Sequence, residues 1–492
     1  MGADDSGTGS PKILIIGAGF GGIGMGIGLR KAGFDDFVIL EKAADLGGTW
    51  RDNRYPGCAC DVPSPLYSFS YELNPDWSRL FAPQEEIWEY LRRCAAAYGI
   101  DRHIRYDSRV ESVAWDDADR LWTVRTAEGK RYRTHAVVSG AGALHLPSYP
   151  DIAGIDEFAG ESFHSSRWDS AADLTGKRVA VIGTGASAIQ FVPAVAGQAA
   201  RLTVFQRTPP WIQPRPDVAI PDRMRAVLRT VPGAARALRY VVYWGLETRA
   251  LGFAIDPRLM APMEAVARRH LERQVSDPEL RARLTPDYTI GCKRILVSSD
   301  YYPALQRPDV DLVTDPIARI TPTGVVTADG TPHEADALVF ATGFRVVDAA
   351  TELNVSGRGG VKLKDAWAAG VEAYRGITVP GFPNFFMLLG PNTGLGHTSV
   401  VFMIEAQVQH VLSCLRIVSR QQAATIEATE PVTRKYNDSL QRRLRRAVWS
   451  AGGCRSWYLD DAGVNRAIWP GFSFEYWART RRARRRDYEV RA

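Results

Sequence analysis

The chain has 492 residues, 45% of them hydrophobic and 24% charged, more than one ordinary core serves, so two or three globular domains are expected. Its 61 lysines and arginines against 55 aspartates and glutamates leave a net charge of +6, too small an excess over this length to argue for nucleic acid. The six cysteines (Cys58, Cys60, Cys94, Cys292, Cys414 and Cys454) form no CxxC pair and no zinc spacing, so neither a metal site nor a disulfide framework is expected. The N-terminus MGADDSGTGS is polar and acidic, without a signal pattern. No apolar run reaches the roughly 18 residues of a membrane span, and the chain reads as a reduced, cytoplasmic enzyme.

In chain order, residues 12–16 (KILII) form a short buried-type strand that runs directly into Gly17-Ala-Gly19-Phe-Gly-Gly22 and a helix-compatible stretch to Lys31. In such a turn the first glycine supplies the geometry and the second lets backbone approach a pyrophosphate. The third allows close helix packing, and the helix N-terminus faces the phosphates. A second strand, 37–40 (FVIL), ends at Glu41, 24 positions after Gly17. A carboxylate there suits a ribose 2′-hydroxyl and repels a 2′-phosphate, so this unit should hold FAD or NAD.

The pattern returns at 178–182 (RVAVI), followed by Gly183-Thr184-Gly185-Ala186-Ser187-Ala188 and a helix through Ile189, Val192 and Val195. Its second strand, 202–205 (LTVF), leads to Arg207, again 24 positions after the first glycine. A guanidinium suits a 2′-phosphate bidentately, with Thr208 able to donate another hydrogen bond. The second unit should therefore take NADPH; the alternative for Arg207 is a solvated strand-end arginine. Two such sites in one chain imply hydride passing from NADPH to a bound flavin. Cys58-Ala-Cys60 follows a glycine turn and lacks the CxxxxC helix spacing of a disulfide reductase.

Between the two units lies FAGESFHSSRWD, residues 158–169, which is neither cleanly amphipathic nor strand-like. Phe158, Gly160, His164, Trp168 and Asp169 in this stretch resemble the linker fingerprint of type I Baeyer–Villiger monooxygenases. Upstream, GGTWRDNRYPGCACD resembles that family's longer signature at Gly47, Gly48, Trp50, Tyr55, Pro56, Gly57 and Asp61. The resemblance continues through Gly291-Cys-Lys293-Arg294 with Tyr301-Tyr302, Ala341-Thr-Gly343-Phe344 and Gly390-Pro-Asn-Thr-Gly394 to the C-terminal CRSWYLDDAGVNRAIWPGFSFEYW. Arg345 departs from it, standing where many relatives carry aspartate.

The resemblance implies an NADPH- and O2-dependent FAD enzyme that converts a ketone to an ester or lactone through a C4a-peroxyflavin. Oxygenation of a sulfide or amine, or a non-oxygenating reductase, are the alternatives. It implies Arg294 as the catalytic cation with Asp61 orienting it near the flavin, and Lys293 joining Arg207 at the NADPH 2′-phosphate. Thr49, Trp50 and Tyr67 are implied at the flavin. His164 reads as a hinge hydrogen-bonding group and Trp168 as a packing anchor, in preference to catalytic roles.

The expected fold is α/β: two Rossmann-like dinucleotide-binding domains with a helical insertion. The FAD domain takes residues 1–150 and 346–492, the NADPH domain 151–215 and 288–345, and the insertion 216–287, where MEAVARRHLERQV (263–275) has helical spacing. YVVYWGL (240–246) reads as a surface apolar patch and RTRRARRR (479–486) as a solvated, frayed terminus, the alternative being contact with an anionic surface or partner. A small ketone and O2 are the expected partners; nothing firm points to a membrane, and the oligomeric state is open.

Overall fold

The strands ILII (Ile13–Ile16) and FVIL (Phe37–Leu40) are apolar at every position and buried on both faces, as a parallel sheet covered on both sides requires. In the computed structural model, which describes residues 12–346 and 352–492, they belong to a five-stranded parallel sheet. Its order is Phe385–Met387, Ala136–Ser139, Ile13–Ile16, Phe37–Leu40, Ile104–Arg105. A second parallel sheet repeats the plan, in the order Val310–Val313, Arg201–Phe205, Arg178–Ile182, Ala337–Phe340, Glu161–His164. The glycine turn follows an inner strand in both sheets, where the strand order reverses. That reversal opens a crevice at the strands' C-terminal ends, the usual ligand position in such sheets.

The two turns are anchored alike at their first glycine. Gly17 N–H donates to Leu40 O at 2.8 Å and Gly183 N–H to Phe205 O at 3.0 Å. Both glycines have positive φ, +91° and +108°, and a Cβ would lie 2.9 Å from Gly140 O in the first and 2.6 Å from Ala341 O in the second. The end of a neighbouring strand, Ala136–Ser139 in the first sheet and Ala337–Phe340 in the second, thus closes down on the turn, and only glycine leaves room.

FAGESFHSSRWD departs from its sequence reading. Glu161–His164 is the edge strand of the second sheet, paired with Ala337–Phe340, and Phe163, Trp168 and Phe191 form an aromatic seam with centroids 5.1 and 5.2 Å apart. Pairing on one side only, in a strand this short, leaves no alternation to read.

Residues 222–283 contain the helices Asp222–Thr230, Ala234–Glu247, Ala261–Gln274 and Pro278–Arg283, as the helical spacing suggests. The C-terminal part returns to the first sheet through Phe385–Met387 and lays the helix Val400–Gln421 against Phe20–Lys31. That helix has span length and a mean hydropathy of 1.3 in its most apolar window, despite the sequence reading. The window is 61% buried in protein, as in a core helix.

Two further expectations are corrected. Cys292 and Cys454, 162 residues apart, are joined in a disulfide, whereas Cys58, Cys60, Cys94 and Cys414 are free and buried. Cysteine spacing could not reveal the pair, because the tertiary fold alone brings the C-terminal segment to the loop before Lys293. Nor is the arginine-rich end frayed: Tyr488–Arg491 pairs antiparallel with Thr425–Ala428, and buried Tyr488 lies with its hydroxyl 2.6 Å from His410 Nε2. The arginine run is pinned on both sides.

Candidate functional site

At the first turn the helix Phe20–Lys31 begins after Gly19, with no side-chain cap and no acidic residue in its first turn. Its N-terminal N–H groups and positive dipole end are therefore available to an anion. Gly22 packs so closely that a Cβ would sit 1.8 Å from Gly17 O. Glu41, 4% exposed, accepts from Ala18 N at 2.8 Å and Ala43 N at 3.1 Å, and from Arg51 Nη1 at 2.8 Å. The carboxylate is thus fastened to the glycine turn itself. Arg51, buried and also paired with Asp52 at 2.7 Å, is a partner that sequence reasoning missed; nothing in its spacing sets it apart from a surface arginine.

Thr49 opens the short helix Thr49–Asp52, after Gly48 in a positive-φ conformation. Trp50 Nε1 donates to Tyr67 Oη at 3.1 Å, and Phe20 packs edge-on against Tyr67 at 5.2 Å. Burial pushes the Tyr67 phenol above its ordinary pKa. Across the crevice, Asn392 Oδ1 and Thr398 Oγ1 are buried without a hydrogen-bond partner among the described residues. Leaving such a group unsatisfied costs about 1–3 kcal/mol, so this loop is suited to a polar ligand.

The loop carrying Asp61 ties the two units together. Gln190 of the helix Ala188–Val195 accepts from Ala59 N at 3.1 Å and from Tyr55 Oη at 3.3 Å, and its Nε2 donates to Ala59 O at 3.2 Å. At Gly57, φ +77°, a Cβ would meet Gln190 O at 2.8 Å. The Tyr-Pro-Gly stretch is therefore a docking element, and Gln190 is its unforeseen counterpart.

Arg294 comes from 233 positions away to Asp61: its Nε and Nη2 each lie 2.6 Å from Asp61 Oδ2. Both side chains are about a third or less exposed, and Nη1 also donates to Leu395 O at 3.5 Å. The Asp61 charge raises the guanidinium pKa above its ordinary value against the opposing effect of burial. Arg294 is thus a permanent cation with a fixed direction. Buried Tyr458, its phenol pushed up to about 12 by burial, completes this surround from the C-terminal segment that the disulfide anchors.

In the second unit Gly185 and Ala186 are exposed at the turn, Ser187 precedes the helix, and Thr184 Oγ1 donates to Thr208 O at 3.4 Å. Arg207 is exposed and makes no ion pair among the described residues. Lys293 has its pKa lowered by burial first and by the Arg207 charge second. The Asp287 charge acts on Lys293 in the opposite sense and more weakly than Arg207, and two neighbouring cations of this kind suit a phosphate.

His164 is fully buried, between the rings of Tyr149 and Phe344 at 5.5 and 5.7 Å. Its Nδ1 accepts from Ser166 N at 3.1 Å, and burial pushes its pKa down to about 4. A neutral, enclosed imidazole at the joint suits a hinge fastening. At Arg345 the backbone N–H donates to Leu146 O at 3.0 Å.

The profile of the family described as Pyridine nucleotide-disulphide oxidoreductase matches residues 14–233, the part that holds both glycine turns. The two adjacent thiols in that span are poor candidates for dithiol chemistry, since burial pushes Cys58 up to about 12 and Cys60 well above its ordinary value. A Baeyer-Villiger monooxygenase of Pseudomonas aeruginosa is 50% identical over 471 residues, covering 96% of this chain and 89% of that protein. One of Streptomyces coelicolor is 47% identical, covering 97% and 92%. Among solved structures, OTEMO in complex with FAD and NADP superposes with a TM-score of 0.88 at 28% identity, over 98% of this chain and 100% of that one.

Proposed function

The chain belongs to the Baeyer–Villiger monooxygenases, and on that premise we propose that it uses NADPH and O2 to convert a small-molecule ketone to an ester or lactone on FAD. The observation that carries this reading is the Arg294–Asp61 pair at 2.6 Å, a fixed permanent cation beside the crevice between two dinucleotide turns. The first unit fits FAD: its turn offers uncapped N–H groups, Glu41 rejects a 2′-phosphate, and the loop opposite holds unsatisfied polar atoms. Held there, FAD would supply the redox chemistry, taking hydride from NADPH and activating O2, one atom of which would be inserted beside the carbonyl.

The protein's own part is electrostatic and positional. Arg294 stabilises the negative charge that develops on oxygen during insertion, and does so best where water is excluded. Asp61 fixes the guanidinium's direction, while the buried surfaces of Tyr458 and Leu395 limit access of water. Gly17, Gly19 and Gly22 seat the flavin pyrophosphate, and Trp50 and Tyr67, locked by their mutual hydrogen bond, form a rigid wall with Thr49. Gly183, Thr184, Gly185, Ala186 and Ser187 seat the NADPH pyrophosphate. Arg207, Lys293 and Thr208 hold its 2′-phosphate. On this reading residues 1–150 and 346–492 form the FAD domain, 151–215 and 288–345 the NADPH domain, and 216–287 the insertion.

Incubation with a panel of cyclic and linear ketones, NADPH and air yields the ester or lactone, with NADPH consumed only while oxygen is present. Products confined to sulfoxides and N-oxides from a parallel heteroatom panel would overturn the ketone assignment. Arg207→Ala raises the NADPH Michaelis constant about 10- to 100-fold, the loss of a charge-assisted hydrogen bond of about 1.5–3 kcal/mol, and moves the NADH constant less than about 2-fold. Steady-state kinetics with both coenzymes checks this; equal shifts would remove Arg207 from the phosphate.

A further inference from the structure

The helix Ala234–Glu247 lies on the protein with its polarity reversed. Its buried residues are Arg239, Tyr243 and Glu247, one turn apart, while Tyr240, Val241 and Trp244 on the outer side are 57%, 72% and 53% exposed. The inward charges are fully engaged. Arg239 Nη1 donates to the carbonyls of Pro65, Leu66 and Ser68 at 3.0 Å each. Glu247 accepts from Ser473 Oγ at 2.8 Å and from the backbone N–H groups of Ser473 and Phe474. Burying charge in this way is costly and needs such partners, so the outward apolar face is built in and not left over from a poor fit.

The face is continuous. Leu251 and Ile255 extend it at helical spacing, and the preceding helix Asp222–Thr230 has no buried residue and exposes Met224 and Val227. The ring of Trp244 meets that of Phe474, centroids 5.8 Å apart, and Trp477, three positions on along the helix Ser473–Thr480, is also exposed. Arg481 lies over the Trp477 ring at 5.0 Å, bringing the arginine-rich C-terminal stretch to the rim of the apolar face.

Charge decides what this face fits. Residues 222–258 hold seven arginines against three acids, and residues 473–486 six arginines against one. These two stretches together exceed the net +6 of the whole chain. Arg223, Arg236, Arg249, Arg481, Arg482 and Arg484 are exposed and have no carboxylate partner among the described residues. Two copies of the chain meeting through this face would oppose their arginines. An apolar surface with Trp and Tyr, rimmed by arginine, is the composition that settles at the headgroup level of an anionic bilayer.

We propose that the helical insertion and the helix Ser473–Thr480 form a docking surface for anionic phospholipid membranes, on which the protein lies without spanning. The holoenzyme is mixed with vesicles of phosphatidylcholine alone, or of phosphatidylcholine with phosphatidylglycerol, and floated on a density gradient. Wild-type protein floats with the phosphatidylglycerol vesicles, and added salt weakens the association. The double variant Val241→Asp/Trp244→Asp, which keeps its FAD and its NADPH-dependent flavin reduction, partitions about tenfold or more less strongly. Arg481→Ala/Arg482→Ala weakens binding and its salt dependence together. No flotation with either vesicle, or equal flotation of the double variant, overturns the proposal. So does a lipid-free dimer in sedimentation velocity that the double variant dissociates, which would assign the face to a second copy.

Discussion

Arg294→Ala retains NADPH-dependent reduction of the flavin but loses ester formation by about 10²- to 10³-fold, the cost of removing one preorganised group that stabilises developing oxyanion charge. The reason lies in the geometry: no other guanidinium among the described residues is held on Asp61, and Asp61 without Arg294 presents negative charge where negative charge must be accommodated. Because Asp61 is partly exposed, the variant solvates the orphaned carboxylate and folds. Arg294→Lys recovers only part of the activity, since an ammonium cannot keep both contacts of the planar fork. Anaerobic reduction rates and product analysis by gas chromatography on the same preparation separate the two half-reactions. Ester formation at the wild-type rate in Arg294→Ala would remove the residue from the chemistry, and loss of flavin reduction would show that its role is to position NADPH.

Gly22→Ala yields a protein that purifies without FAD. The added Cβ falls 1.8 Å from Gly17 O, a main-chain atom that cannot swing aside, so the helix Phe20–Lys31 must move away from the turn. That motion withdraws the N–H groups from the pyrophosphate. Overpacking of this kind costs about 1–3 kcal/mol or more, enough to weaken FAD affinity about 100-fold. Visible absorbance of the purified variant and titration with added FAD measure the effect. Wild-type FAD content would mean that the turn tolerates a shifted helix and that the phosphates are held elsewhere.

Both glycine turns were legible in the sequence because a strand, a turn and a helix that follow one another leave a local pattern, and the charge at the end of the second strand is counted from the same origin. The linker fingerprint was legible only as a resemblance. Its strand, Glu161–His164, is defined by pairing with Ala337–Phe340, far along the chain, and carries no alternation of its own. Gln190 and Arg51 were invisible as site-supporting residues for a related reason: each takes its meaning from a loop that docks on it.

Sequence alone therefore determined the local units: the paired dinucleotide turns, Glu41 and Arg207 at matched positions, and helices in the insertion. These depend on contacts between residues close along the chain. The pairing of Arg294 with Asp61 was legible only through the resemblance, and only the tertiary structure decided that Cys292 bonds Cys454 and that the arginine-rich end is pinned by a terminal strand. Those pairings join residues far apart in the chain and leave no periodic trace. The exposed apolar patch at 240–246 was read from the sequence; the tertiary structure added what holds the opposite face down, the carbonyls at Pro65, Leu66 and Ser68 on Arg239 and the N–H groups at Ser473 and Phe474 on Glu247. A helix's spacing states that it has two faces; the partners waiting in the fold hold one of them down.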